Sequence, residues 1–294
     1  MNTGEQPVST SERNFVTAAL REGLRVDGRG AYEFRDLAIN LGDGGYGSAE
    51  VLLGKTRVLA NVAAEVVRPN AANATEGFVH FNTSFSPMAS PAFEQGRLTD
   101  EEVLISRMLE KALRRSRAID TEGLCIIAGE KVWSIRIDIH VLDHEGNILD
   151  CACIAAIAAL LHFRRPDITV EGDNVIIHDM DERNPIPLSI HHIPICITFG
   201  FFDNGDRVLV DPTHLEEQVQ DGNFIVVVNT HRELCTMSKA GGASLDVARI
   251  IQCTEVAAAK AAEVTELVRT ALSKVIIRIS IYCQHINQFI TKVQ

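Results

Sequence analysis

The stretch KVWSIRIDIHVLDHEGNILDCACIAAIAAL, Lys131 to Leu160, decides the fold class. Together with LCIIAGE before it, its first part reads as strand. His144-Glu145-Gly146 supplies a turn, GNILD reads as a second short strand, and a strand therefore ends at Asp150 where a helix begins. That helix runs to Arg164-Arg165-Pro166 and is apolar on every side, so it packs against protein on most of its surface. A helix start directly after a strand is a place where phosphate can be held.

On the N-terminal side, residues 1–11 form a loose polar arm. Phe15, Val16, Ala19 and Leu20 have the spacing of a short helix ending near Glu22-Gly23, with Ser11 and Asn14 a poor capping box. Leu37, Ile39 and Leu41 alternate as in a strand. The run from Gly42 to Gly47 matches G-x-G-x-x-G, but a dinucleotide site needs a helix next. Here SAEVLLGKTRVLANVAAEVV follows, two strands with a bend at Gly54-Lys55-Thr56, so the glycines mark a hairpin. Another strand spans Phe78 to Phe85. TDEEVLISRMLEKALRRS then reads as a helix capped by Thr99, with acids in its first turn and bases in its last, as the helix dipole favours.

On the C-terminal side the plan repeats. IPICITFGFFDNGDRVLVDP is a hairpin around Asn204-Gly205, and NFIVVVNTHRELCTMSKAGG is another around Asn229 to Arg232. A long helix from about Ser244 to Leu272 closes this half. The expected organisation is an arm and helix over 1–30, a first half over 31–190, a second half over 191–272 and an atypical segment over 273–294. The last segment is rich in Val, Ile and Tyr like a strand, yet it directly continues a helix.

The chain has 294 residues, 46% of them apolar, enough for a substantial core. Its net charge of −11 argues against binding nucleic acid over the whole surface and leaves room only for a local basic patch. Seven cysteines, without a C-x-x-C and mostly inside apolar runs, suggest buried free thiols in a reducing compartment. There is no apolar signal core at the N-terminus, and no stretch reaches the ~18 apolar residues a membrane span needs.

Few residues suggest chemistry on their own. Cys151-x-Cys153 lacks the second cysteine pair of a structural zinc site and reads as small residues packed against a sheet. His140, Asp143, His144 and Asp150 are near in sequence, but an expected hairpin spreads them apart, so no metal is assigned. The most informative polar feature is a cluster of Arg107, Lys111, Arg114, Arg115 and Arg117 in an acidic chain. Arg107, Lys111 and Arg114 recur at i, i+4 and i+7 and would share one helix face. A solvated face is the plain reading; a phosphate backbone is the sharper one, since arginine offers a bidentate fork.

RVDGRGAYEFRDL (25–37), GKTRVLANV (54–62), RMLEKALRRS (107–116), AGEKVWSIRIDIHVLDHEGNILDCACIAAIAAL (128–160) and VLVDPTHLEEQVQDG (208–222) occur in an order that resembles the RNase PH-like subunits of the RNA exosome. The likeness runs from about Phe15 to Leu272. It implies an α/β fold of two similar halves, each with mixed sheets packed by helices. It also implies a heterodimer with another RNase PH-like subunit inside a six-membered ring, S1/KH cap subunits, RNA in a central channel and a separate nuclease. Nucleus, nucleolus and cytoplasm are the compartments implied, with rRNA maturation and mRNA decay as processes, and no cofactor.

Active members of that family are phosphorolytic 3′→5′ exoribonucleases with Asp-Gly-Gly-Thr/Ser-Arg at the strand-to-helix junction. Aligned on Asp150, this chain has Cys151 and Ala152 for the glycines, Cys153 for the hydroxyl residue and Ile154 for the arginine. A helix dipole and backbone amides alone supply only about 0.3–2 kcal/mol, too little to position phosphate. Thr213 falls near where active members place one catalytic carboxylate and cannot act as an acid near neutral pH, with Asp221 as the remaining candidate. Basic residues on the helix touch RNA in non-catalytic relatives, and Lys111 and Arg114 match those positions. Three readings follow: a non-catalytic, RNA-contacting ring subunit, an active phosphorolytic nuclease, and a metal-binding regulator using Cys151 and Cys153.

Overall fold

The computed structural model describes residues 8–42, 45–93, 96, 99–171, 174–180, 182–242 and 244–293, and for 174 and 275–293 only the backbone. Most of the expected arm, together with Asp43 and Gly44 of the glycine run, lies outside the described residues. Helix α1 (Thr10–Arg21) is capped by Ser9 with Glu12, a full capping box two residues earlier than the weak Ser11 reading. Val16 and Leu20 are buried, whereas Phe15 faces solvent.

The first sheet holds β1 (Leu37–Leu41), β2 (Ser48–Leu53), β3 (Thr56–Val67), β4 (Phe78–Phe85), β5 (Cys125–Ile127) and β6 (Lys131–Asp143). Its order is β1-β2-β3-β6-β4, with β5 on β6, and only the β4–β6 pair is parallel. In β6, Ile135, Ile137, Ile139 and Val141 are fully buried, while Ser134, Arg136, Asp138 and His140 take the other face. The pleat thus turns period-two alternation into one core face.

Helix α2 (Asp100–Leu109) starts at a Thr99–Glu102 capping box. The chain then continues as a π-helical segment, Glu110–Arg115. After β6, helix α3 (Ile148–His162) is buried along nearly its whole length, as its apolar sequence requires. It begins before Asp150, so GNILD is not a strand. Gly146 (φ 91) and Asn147 (φ 51) both adopt left-handed backbone, which ends β6 abruptly and lets the helix start at Ile148.

Strands β7 (Arg164–Arg165), β8 (Ile168–Glu171), β9 (Asn174–Ile177) and β10 (Ile186–Pro187) form two short ladders, β7 with β10 and β8 with β9. The second sheet is antiparallel, ordered β12-β11-β13-β14, from β11 (Ile195–Phe202), β12 (Arg207–Val210), β13 (Gly222–Val228) and β14 (Leu234–Ser238). Both expected hairpins are present. Helix α4 (His214–Val219) links β12 to β13, and α5 (Val247–Val293) follows. Its backbone carries straight through the segment whose composition looked strand-like. Every residue of β11 is buried, because α3 and α5 both pack on it. Among the described residues, no helix is long and apolar enough to cross a membrane.

Candidate functional site

The loop between β6 and α3 meets the loop between β12 and α4. Gly146 makes this possible: a side chain there would run into the backbone of Thr213 and His214, with the nearest atom at 2.4 Å. Its φ of 91° adds a second reason for glycine. His214 N–H donates to Glu145 O at 3.0 Å, and Thr56 Oγ1 donates to Gly146 O at 2.8 Å.

Behind this contact lies a dense polar network. Asp211, fully buried and at φ 52, receives Arg35 Nη2 at 2.7 Å, Arg29 Nη1 at 2.9 Å and Asn147 Nδ2 at 2.7 Å. Burial alone would raise the Asp211 carboxyl; the hydrogen bonds and charge of Arg35, with the Asn147 amide, together outweigh it and hold the group below its ordinary range. Arg25 pairs with buried Glu216 at 2.6 Å and also donates to the carbonyls of Val210 and Asp211. These three arginines come from the 25–37 run, to which sequence reasoning gave no role. Their signal was present as an Arg-rich motif, but their partners are some 180 residues away.

Asp150 accepts from Thr198 N–H and Oγ1, both at 2.8 Å, and from Asn147 Nδ2 at 2.8 Å. Burial still pushes its carboxyl up to about 7, against the pull of those donors. Cys151, Ala152, Cys153 and Ile154 follow within the helix, not at its N-terminus, and none has any exposed surface. Cys151 Sγ lies 3.5 Å from Val51 O and Cys153 Sγ 3.6 Å from Pro194 O, so both thiols point at protein carbonyls. Burial drives the Cys151 thiol well above its ordinary value. No solvent ion reaches these four side chains, and the two cysteines have no shared opening for a metal.

The remaining sequence candidates separate. Thr213 N–H donates to Glu216 Oε2 at 2.8 Å, placing Thr213 at the start of α4. Asp221 is turned away and accepts from Asn204 N–H at 2.9 Å in the β11–β12 turn. His140 contacts Ser84 across the β4–β6 pair, 2.7 Å from its Oγ, and does not join His144. His144 instead meets His214, with ring centroids 4.6 Å apart and nearly perpendicular planes, and Phe93 lies beyond. Glu217 is beside them, its Oε1 accepting from Asn147 N–H at 2.8 Å. Burial raises Glu217 to about 8, with the charges of Glu101 and Asp211 adding to the rise, and burial with His214 lowers His144 to about 4.

Arg107, Lys111, Arg114 and Arg115 are all exposed. The i, i+4, i+7 stripe assumes an unbroken α-helix, and this is corrected: from Glu110 the backbone is π-helical, so the angular spacing changes between Arg107 and the other three. Arg114 also bridges to Glu110 at 3.0 Å, a solvent-exposed pair that leaves the group accessible. The segment is anchored from α2, where Glu102 accepts Phe85 N–H at 2.7 Å and Ser106 donates to Thr83 at 3.0 Å.

Comparison with known proteins gives consistent likenesses. Exosome complex component RRP45 of Homo sapiens is 50% identical over 268 residues, 91% of this chain and 61% of that protein. The chain therefore spans about three fifths of the length of its mammalian relatives. Exosome complex component rrp45 of Schizosaccharomyces pombe is 45% identical over 266 residues, covering 90% of this chain and 91% of that protein. A chain of the Archaeoglobus fulgidus exosome with RNA bound to the active site superposes with a TM-score of 0.76 at 32% identity, covering 87% of this chain and 97% of that one. The arrangement of a mixed first sheet and an antiparallel second sheet, where mixed sheets were expected in both halves, with helices packed on them, is an RNase PH-like fold. Domain 1 of the 3′ exoribonuclease family matches residues 33–166 and domain 2 matches residues 192–260, so the chain belongs to that family.

Proposed function

We propose that this chain is a structural, RNA-contacting ring subunit of an RNA exosome, without phosphorolytic activity of its own. The observation that carries the proposal is the occupied interior at the start of α3. Ile154 and its neighbours are fully buried, and Arg29 and Arg35 are committed to Asp211. A phosphate nucleophile needs accessible donors and an uncommitted cation, and neither is found among these residues. The exosome names of the relatives support the setting. In it the chain pairs with another RNase PH-like subunit in a six-membered ring, beneath S1/KH caps, and a separate nuclease degrades the RNA. Its place is the nucleus, nucleolus and cytoplasm, in rRNA maturation and mRNA decay. The division into 31–190 and 191–272 belongs to the same proposal.

The test is reconstitution with the partner subunit, followed by an assay for phosphate-dependent release of nucleoside diphosphates from RNA. All activity should vanish when the partner's carboxylates are removed. Release that persists would establish the alternative, an active phosphorolytic exoribonuclease.

Arg107, Lys111, Arg114 and Arg115 are the proposed RNA contacts. For single strands the salt dependence of binding scales with about 0.7 per neutralised phosphate. Lys111→Ala with Arg114→Ala should therefore lower the log–log salt slope of the assembled ring by about 1.4 and weaken crosslinking. An unchanged slope removes both residues from the RNA path.

A further inference from the structure

We propose that His144, His214 and Glu217 form a binding site for a divalent transition ion, zinc above all, that ties the first sheet's β6–α3 loop to α4. One ligand atom from each residue lies within 4.8 Å of the others. At zinc–ligand lengths of 2.0–2.2 Å, donors of a tetrahedral ion sit about 3.4 Å apart, so small side-chain rotations close the site. Two imidazoles and a carboxylate are a donor set zinc accepts, with a fourth position left for solvent. All three side chains are half-buried, which shields an ion without blocking its entry.

The framework is fixed independently of any ion. His214 and Glu217 stand at i and i+3 on α4 and so share a face. The Gly146 contact holds the two loops together through the bond from His214 N–H to Glu145 O. Arg35 donates to the carbonyls of Glu145 and Gly146 at 3.0 and 3.1 Å. Asn147 N–H fixes Glu217 Oε1, leaving Oε2 for an ion.

Outer contacts suit coordination as well. Gln218 lies 3.0 Å from His214 Nε2, an outer contact that orients the imidazole. His144 Nδ1 takes Gly146 N–H at a long 3.3 Å, a bond that loading gives up. Nearby charges include Glu101, a second negative group beside Glu217, Asp143 beside His144, and Arg35, which is paired with Asp211.

The test is titration of the EDTA-treated 294-residue chain with Zn²⁺ and Co²⁺. One ion per chain should bind, Co²⁺ should develop visible ligand-field bands of a four- or five-coordinate site, and Zn²⁺ should raise the thermal midpoint reversibly. His144→Gln and Glu217→Gln should each weaken binding by at least the roughly 10–100-fold that outer-shell changes produce. Circular dichroism of the metal-free variants separates ligand loss from misfolding. The proposal is overturned if the wild-type chain binds neither ion stoichiometrically, a result that needs no variant. It is equally overturned if a folded His144→Gln/His214→Gln double variant binds as the wild type does.

Discussion

Asp211 shows how one buried carboxylate reorganises a site. It holds two guanidiniums and an amide in a left-handed backbone position with no exposed surface. Removing its charge strands Arg29 and Arg35, whose side chains are only 12% and 9% exposed. Breaking one side of a buried pair costs about 3–5 kcal/mol, so Asp211→Asn should lose on that order in urea unfolding. Asp150 acts in the opposite electrostatic sense. Its folded pKa, about 7, lies above the ordinary 3.8, so the fold binds this proton more tightly than the unfolded chain does. Its contribution is fully present below pH 3.8 and is lost as pH rises through about 7. Between pH 5 and 8 the wild-type urea midpoint should therefore fall relative to that of Asp150→Asn, so that the gap between the two narrows as pH rises, even though the variant's midpoint is lower overall.

At the scale of elements, α2 is pinned at its first turn. Thr99 caps the helix, and Glu102 returns the bond to Thr99 while also holding Phe85 N–H of β4. Thr99→Ala should cost about 1 kcal/mol. Glu102→Ala should cost more, because it also leaves a buried N–H of β4 without its acceptor, a further 1–3 kcal/mol or so. Urea midpoints of the two variants check the ranking. That cap was legible in the sequence because capping is local, as were the two second-half hairpins and the strand that became β6. The start of α3 was misread because Gly146-Asn147 looks like an ordinary turn until both residues go left-handed. The π-helical segment had no signal at all, since Glu110–Arg115 fits an α-helix equally well by composition. The His144–His214–Glu217 group and the Arg–Asp211 network were illegible for another reason: their members are distant in sequence and meet only when two loops touch at Gly146.

The whole molecule is joined through α3. The helix packs on β2, β3 and β6 of the first sheet and on β11 of the second. Its Asp150 bonds to Thr198 of β11, and Asn147 at its start bonds to Asp211 and Glu217 beyond β12. Arg25, Arg29 and Arg35, from the start of the chain, close the same junction. Two repeated halves suggest two folding units, but a helix buried along nearly its whole length with partners in both sheets opposes independent unfolding. Calorimetry should therefore show one transition with calorimetric and van't Hoff enthalpies in agreement. Ile154, fully buried in α3, offers a sharper form of the test. Ile154→Ala should cost about 2–5 kcal/mol through the lost side chain and the cavity left behind. If α3 joins the halves, the whole transition moves down as one, followed equally by Trp133 fluorescence in the first sheet and by far-ultraviolet dichroism. A variant in which Trp133 reports one midpoint and dichroism shows a second, unshifted step would mean that the second sheet stands without the helix, and that the buried network at Asp150 and Asp211 is a local feature and not what couples the two halves.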